Sequence, residues 1–168
     1  MKIKLITFVC VLLVLGACSS AEKEQRKGDK IKKAIIEESN FIGKSLLSID
    51  SIIGVNNENF RAVFLFTYHD CEPCVDAGFY ISKKIDSLYN KQTVYAISSM
   101  PNPHSYQQRN SYYNYIFSDE KDLIRRELKY IPTPVIFFIN QNNKIQNLMF
   151  PKDTISANYS KFIHTIVQ

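Results

Sequence analysis

Residues 61–68 read Arg-Ala-Val-Phe-Leu-Phe-Thr-Tyr, an apolar run in mid-chain. Its apolar side chains occupy successive positions rather than alternate ones, so both faces of a sheet must be covered. This predicts a buried parallel strand. His69-Asp70 breaks the run. Residues 75–89 then carry Phe79, Ile81, Ile85 and Leu88, which predicts a helix, and residues 93–98 predict a second strand. Residues 112–117 predict a short strand. Ser118 is an N-cap candidate for a helix running to about Lys129, with Asp119 and Glu120 suited to its positive end. Residues 135–139 form another compact apolar strand. A turn at 141–144 returns the chain antiparallel along 145–150, and Asp153 is placed to cap a last helix over 155–166.

Upstream, Ile31, Ala34, Ile35, Glu38, Ile42, Leu46, Ile49 and Ile53 fall near three-and-four spacing, which predicts partly helical structure interrupted at Gly43. Residues 54–59 are a turn-rich separator. Residues 99–111, with Pro101 and Pro103, have no periodicity and read as irregular. The tyrosines that follow cluster: Tyr106, Tyr112, Tyr113 and Tyr115. Alternation puts Tyr113 and Tyr115 on one face as core candidates, leaving the others for a docking surface.

The N-terminus is a separate matter. Two lysines in residues 1–4 precede an apolar run over 5–17, too short for a bilayer span of about 20 residues. A basic start, a short apolar core and a small-residue exit read as a secretory signal, residues 1–17. The exit, Leu15-Gly16-Ala17-Cys18, resembles a bacterial lipobox, which implies cleavage before Cys18 and lipidation there. Residues 18–28 are small or polar and read as a tether. Ser19 stands where an inner-membrane retention signal has Asp, which leans toward the outer membrane facing the periplasm. Several acyl chains anchor far more firmly than one. The expected partner at this end is therefore the lipid bilayer of a bacterial cell envelope.

Residues 29–168 suffice for one domain with a real core and an N-terminal helical extension. The formal charge of +5 falls to about +3 without Lys2 and Lys4, and the remaining basic residues are scattered. Arg109 and the tyrosines around it have the composition of a base-stacking surface, but export argues against nucleic acid.

The chemistry concentrates at Cys71-Glu72-Pro73-Cys74. A CxxC at a helix start serves a redox dithiol, a small structural disulfide or half of a metal site. Zinc lacks a second cysteine pair, and His69 lies too close to Cys71 for a tetrahedral knuckle. His104 and His164 are the other candidate ligands. Copper suits thiolates. A disulfide closing so short a loop gains little chain entropy. Redox chemistry is the favoured reading. Cys71, at the exposed helix edge, is the nucleophile, because unpaired backbone N–H groups favour its thiolate. Cys74, one turn in, resolves the mixed disulfide. Glu72 and Asp70 oppose the helix effect, which predicts a higher Cys71 pKa and a more reducing pair than in strong oxidants. Pro73 fits an early helical position, where its missing N–H costs nothing.

From about Phe60 onward the chain resembles the thioredoxin superfamily. Phe64-Leu65-Phe66-Thr67-Tyr68 followed by the CxxC is similar to that family's central strand and active-site turn. Residues 130–140, containing Pro132-Thr133-Pro134, are similar to its cis-proline loop and next strand. The resemblance implies an α/β fold with a central mixed sheet of four or five strands and helices on both faces. It implies that Thr133 and a cis Pro134 (with Pro132 the alternative) sit beside the dithiol and pair with substrate backbone. The region over 98–117 is similar to an insert of the membrane-tethered TlpA-like and peroxiredoxin-like branch. Leu65 stands where many relatives carry a buried Asp that assists the resolving cysteine, and Asp70 replaces the usual Trp. Tyr68 and His69 flank the site.

The reading is a membrane-anchored thiol–disulfide oxidoreductase that reduces or exchanges disulfides of exported proteins. It needs no cofactor beyond its own cysteine pair, and it is recharged by a membrane-linked redox partner. A disulfide oxidase or isomerase, or a binding module with a structural or copper-binding dithiol, are the alternatives.

Overall fold

The computed structural model of the chain describes residues 38–54, 60–89, 93–152 and 158–164. The chain divides into two units after Asn40, and the elements below belong to the second, Phe41–Gln168. They are α1 (Ile49–Ile53), β1 (Phe60–Phe66), α2 (Glu72–Tyr89), β2 (Val94–Ser98), α3 (His104–Arg109), β3 (Ile116–Ser118), α4 (Leu123–Glu127), β4 (Val135–Asn140), β5 (Ile145–Met149) and α5 (Asn158–His164). Cys18 and its surroundings, the tether, the predicted helix start near Ile31 and Asp153 lie outside the described residues. Among the described residues no helix is long and apolar enough to cross a membrane.

The unbroken apolar run of β1 has the cause its pattern implies, since β1 is the central strand. The sheet order is β3-β2-β1-β4-β5. β1 pairs parallel with β2 and antiparallel with β4, and β5 returns antiparallel beside β4. β3 lies parallel to β2 at one edge. On one face Ala62, Phe64 and Phe66 pack with Val75, Phe79 and Ile85 of α2 and with Tyr159 and Phe162 of α5. On the other, Val63 and Leu65 pack with Ile49 of α1 and with Ile124 and Leu128 at α4. The mixed five-stranded sheet with helices on both faces is the α/β architecture expected.

α2 comes close to the sheet at Gly78, where a Cβ would overlap the ring of Phe64. That ring cannot yield easily. It is fully buried, stacked on Phe66 with centroids 5.1 Å apart and edge-on to Phe79 at 5.1 Å. Overpacking of this kind costs about 3 kcal/mol, against which alanine's better helix propensity returns about 1. Gly78→Ala is therefore expected to lose about 2 kcal/mol. The readout is a lower urea midpoint at unchanged slope.

The interruption expected at Gly43 is present, and four local expectations further along the chain need correction. Gly43 takes φ +81°, and the chain beyond it extends along the β4–β5 hairpin. Gly43 N donates to Ile145 O at 2.8 Å and Leu46 N to Asn143 O at 2.8 Å, around a Ser45–Lys144 bridge. Within the irregular stretch lies α3, which is short and polar except for Tyr106. Ser118 ends β3 and does not cap α4. The buried Asp119 caps it instead, its carboxylate accepting from Leu123 N (2.9 Å) and Ile124 N (3.0 Å). The helix stops at Glu127, because Lys129 and Tyr130 have positive φ. Among the tyrosines Tyr112 is the core residue, whereas Tyr113 and Tyr115 are exposed. They precede β3, so strand alternation does not apply to them.

At the end of β1 remote from Cys71, Arg61 is 1% exposed. Its Nη1 donates to Asp50 Oδ1 at 3.2 Å and its Nη2 to Asn143 Oδ1. Asn143 Nδ2 donates to Asp50 Oδ2 at 2.7 Å, closing the ring. Asn143 also turns the hairpin at φ +56°, a left-handed conformation that asparagine tolerates better than most residues. The hairpin thus turns without a glycine.

Candidate active site

β1 ends at Phe66, and the chain turns through Thr67–Asp70 before α2 begins. Asp70 makes this turn. Its carboxylate accepts from Thr67 N (2.7 Å) and Thr67 Oγ1 (3.0 Å), while Asp70 N donates to Thr67 O at 3.3 Å. Cys71 then stands at the helix cap, with Val75 N donating to its carbonyl at 3.0 Å. Cys71, Glu72 and Pro73 are exposed and Cys74 is half-buried. The two cysteines form a disulfide with Cα atoms 5.2 Å apart. Pro73 occupies the first turn, where a helix has no acceptor waiting for its missing N–H.

The second half of the site arrives from residue 130 onward. The Thr133–Pro134 bond is cis, and Pro134, rather than Pro132, takes that form. β4 starts directly after it, with Val135 opposite Leu65 of β1, which brings the loop to the same end of the sheet as the dithiol. Thr133 Oγ1 donates to Asp70 Oδ1 at 2.7 Å. One carboxylate thus joins the turn before Cys71 to the loop holding Pro134. Leu65 is buried and apolar, on the face turned to α1 and α4. Tyr68 and His69 are exposed on the turn, their rings edge-on with centroids 5.3 Å apart.

A third group comes from α3, in the stretch where the sequence has no periodicity. Arg109 pairs with Glu72. It also grips Asp76 Oδ1 through Nη2 at 2.7 Å and Nε at 3.1 Å. Its guanidinium lies over the Tyr106 ring, 4.8 Å from the centroid. Tyr106 packs edge-on against Phe66 at 5.6 Å. Burial pushes the Tyr106 phenol up in pKa, and the carboxylates of Asp70 and Asp76 push it further. Sequence carried no signal for this arrangement, since Arg109 and Asp76 are 33 residues apart.

Among the described residues no group of three or more His, Cys, Asp or Glu side chains is arranged to hold a metal ion. His104 is turned to Gln107, with Nδ1 3.2 Å from Oε1. The side chain of His164 lies outside the described residues.

No family model matches the sequence, and no curated protein matches it. Solved structures do resemble the fold. The thiol:disulfide interchange protein DsbE from Chlorobium tepidum is similar at TM-score 0.52 and 13% identity, over 66% of this chain and 79% of that one. Peroxiredoxin Q from Xanthomonas campestris, as a cysteine-to-serine mutant, is similar at TM-score 0.51 and 7% identity, over 68% and 81%. The bacterioferritin comigratory protein of Xanthomonas campestris is similar at TM-score 0.50 and 6% identity, over 68% and 81%. Identities this low establish architecture alone, and on that ground, together with its mixed five-stranded sheet, the chain has a thioredoxin-like fold.

Proposed function

We propose that this protein is a thiol–disulfide oxidoreductase of the bacterial cell envelope, held to a membrane through lipidated Cys18, that reduces or exchanges disulfides of exported proteins. The observation that carries the reading is the position of Cys71. It is an exposed cysteine at a helix N-terminus, disulfide-bonded to a less exposed Cys74, beside a loop tied to the same turn through Asp70 and Thr133. A disulfide serving only to staple the fold has no need of an exposed sulfur. The likeness to a DsbE protein supports the same class of chemistry. The location rests on the signal and Cys18 in the sequence.

The reaction begins with the reduced pair. The Cys71 thiolate attacks one sulfur of a client disulfide, and the client's other sulfur leaves as a thiolate that takes up a proton. Cys74 loses its proton and attacks the Cys71 sulfur, which releases the second client thiol. Two electrons have passed to the client, and Cys71–Cys74 is oxidised. A dithiol donor on the membrane side returns the pair to its reduced form. The half-buried Thr133, next to the buried Pro134, marks the place where client backbone docks during these steps, with the exposed Tyr68 and His69 on the neighbouring turn.

The negative charge that Asp70 and Glu72 place beside Cys71, offset in part by Arg109 at Glu72, supports the reducing direction. The test is the wild-type protein in two assays. It should accelerate insulin reduction by dithiothreitol, and its pair should equilibrate with glutathione at a potential below about −180 mV. Absence of acceleration sinks the enzyme reading. A potential near about −120 mV, that of a strong oxidant, reverses the direction.

A further inference from the structure

Arg109 sits on a helix that no strand requires, yet its side chain is held from several sides against the first turn of α2. Tyr106 supports it from below and Asp76 fixes two of its nitrogens. The next residue, Asn110, donates to the same Asp76 oxygen at 2.9 Å, and Lys83 Nζ donates to Asn110 O at 2.7 Å. Stability is a weak reason for such care. The Arg109 and Glu72 side chains are 37% and 64% exposed, and exposed ion pairs contribute little.

The arrangement does change the charge beside Cys71. Among the described residues, the ionisable groups on the elements that meet at the dithiol include Tyr68, His69 and Asp70 on the turn, Glu72 and Asp76 on α2, and Tyr106 and Arg109 on α3. The loop at Pro134 contributes Thr133, which does not titrate. Asp70 is engaged by Thr67 and Thr133. Glu72, the residue directly after Cys71, has Arg109. A carboxylate at that position disfavours a neighbouring thiolate, and a cation paired with it removes much of the effect.

We propose that Arg109 is a positioning residue for the dithiol: held by α3 across Glu72 and Asp76, it offsets the Glu72 carboxylate and keeps Cys71 more acidic, and the Cys71–Cys74 pair less reducing, than the local sequence alone dictates. The meaning of this tuning rests on the oxidoreductase reading. The acidity and the potential are properties of the cysteine pair itself, whatever its client.

The thiolate belongs to the reduced form, so stabilising it raises the potential, and losing Arg109 lowers it. The experiment titrates thiolate absorbance in the reduced protein and measures the glutathione potential above the Cys71 pKa. It compares wild type with Arg109→Ala, Arg109→Lys, Glu72→Gln and the Arg109→Ala/Glu72→Gln double variant. Arg109→Ala should lower the Cys71 acid constant about threefold, which is about 15 mV more negative at about 30 mV per tenfold. Arg109→Lys should restore most of the acidity, because it keeps the charge. In the Glu72→Gln background, removing Arg109 should have less than half that effect. The proposal is overturned if Arg109→Ala changes only the melting temperature. It is equally overturned if the shift is as large without the Glu72 carboxylate. A wild-type protein inactive on insulin that still shows these shifts would defeat the enzyme reading and leave the role of Arg109 standing.

Discussion

Cys74→Ser is expected to turn the protein from a catalyst into a trap. Cys71 remains exposed at the helix cap and still attacks a client disulfide, but no second sulfur lies one turn away to release the product. A one-to-one mixed disulfide through Cys71 should accumulate, visible by intact mass and on non-reducing gels. Turnover of insulin should fall at least about 100-fold, nearly 3 kcal/mol in the barrier. Cys71→Ser should lose turnover to the same degree and yield almost no adduct, because the remaining Cys74 is half-buried beneath the cap. The pair of variants therefore separates attack from resolution. Equal adduct yields from both would show that exposure does not select the nucleophile.

The largest loss of stability is expected far from the chemistry, at Arg61→Ala. This guanidinium is the cationic member of a closed ring with Asp50 and Asn143, and it is fully buried. Removing one partner of a buried charged network costs about 3–5 kcal/mol, since the groups left behind remain desolvated. Asp50 is 35% exposed and regains some water, which places the loss near the lower end, about 3 kcal/mol. Arg61→Met should lose less. It refills much of the volume, and burying a guanidinium is itself costly, with Nε already lacking a hydrogen-bond partner among the described residues. Urea unfolding of the two variants checks both statements. A methionine variant as damaged as the alanine one would show that the hydrogen bonds of the ring outweigh its packing.

From residue 60 onward the layers were legible in sequence because strong apolar runs have few ways to be covered. Phe64 and Phe66 need one set of helices and Val63 and Leu65 another, so β1 reads as central before any partner is known. The failures lie where local pattern is ambiguous or absent. Leu46 and Ile49 are both buried and three apart, a spacing that suits a helix, yet the chain before Leu46 is extended. In α3 a single tyrosine makes the main apolar contact, so no period announces the helix. Asp119 caps a helix from a strand end, one residue past the serine that local preference favours. The dithiol itself was evident from its spacing and position. Its electrostatics were not, because the partners of Asp70 and of Asp76 lie 63 and 33 residues away. Along the chain, Asp70 and Glu72 are two bare charges. Folded, each faces donors from a separate element.

The bridge between Ser45 and the β4–β5 hairpin also has a consequence for the anchor. Phe60 lies opposite Asn140 at one end of the sheet, and Leu65 lies opposite Val135 at the other. The hairpin and the entering chain thus share one pole of the domain, and Cys71 and Pro134 share the opposite pole. In the proposed anchored protein, the chain therefore enters the domain at the backbone bonds from Gly43 and Leu46 to the hairpin. The cysteine pair lies at the other end of the strands from that attachment.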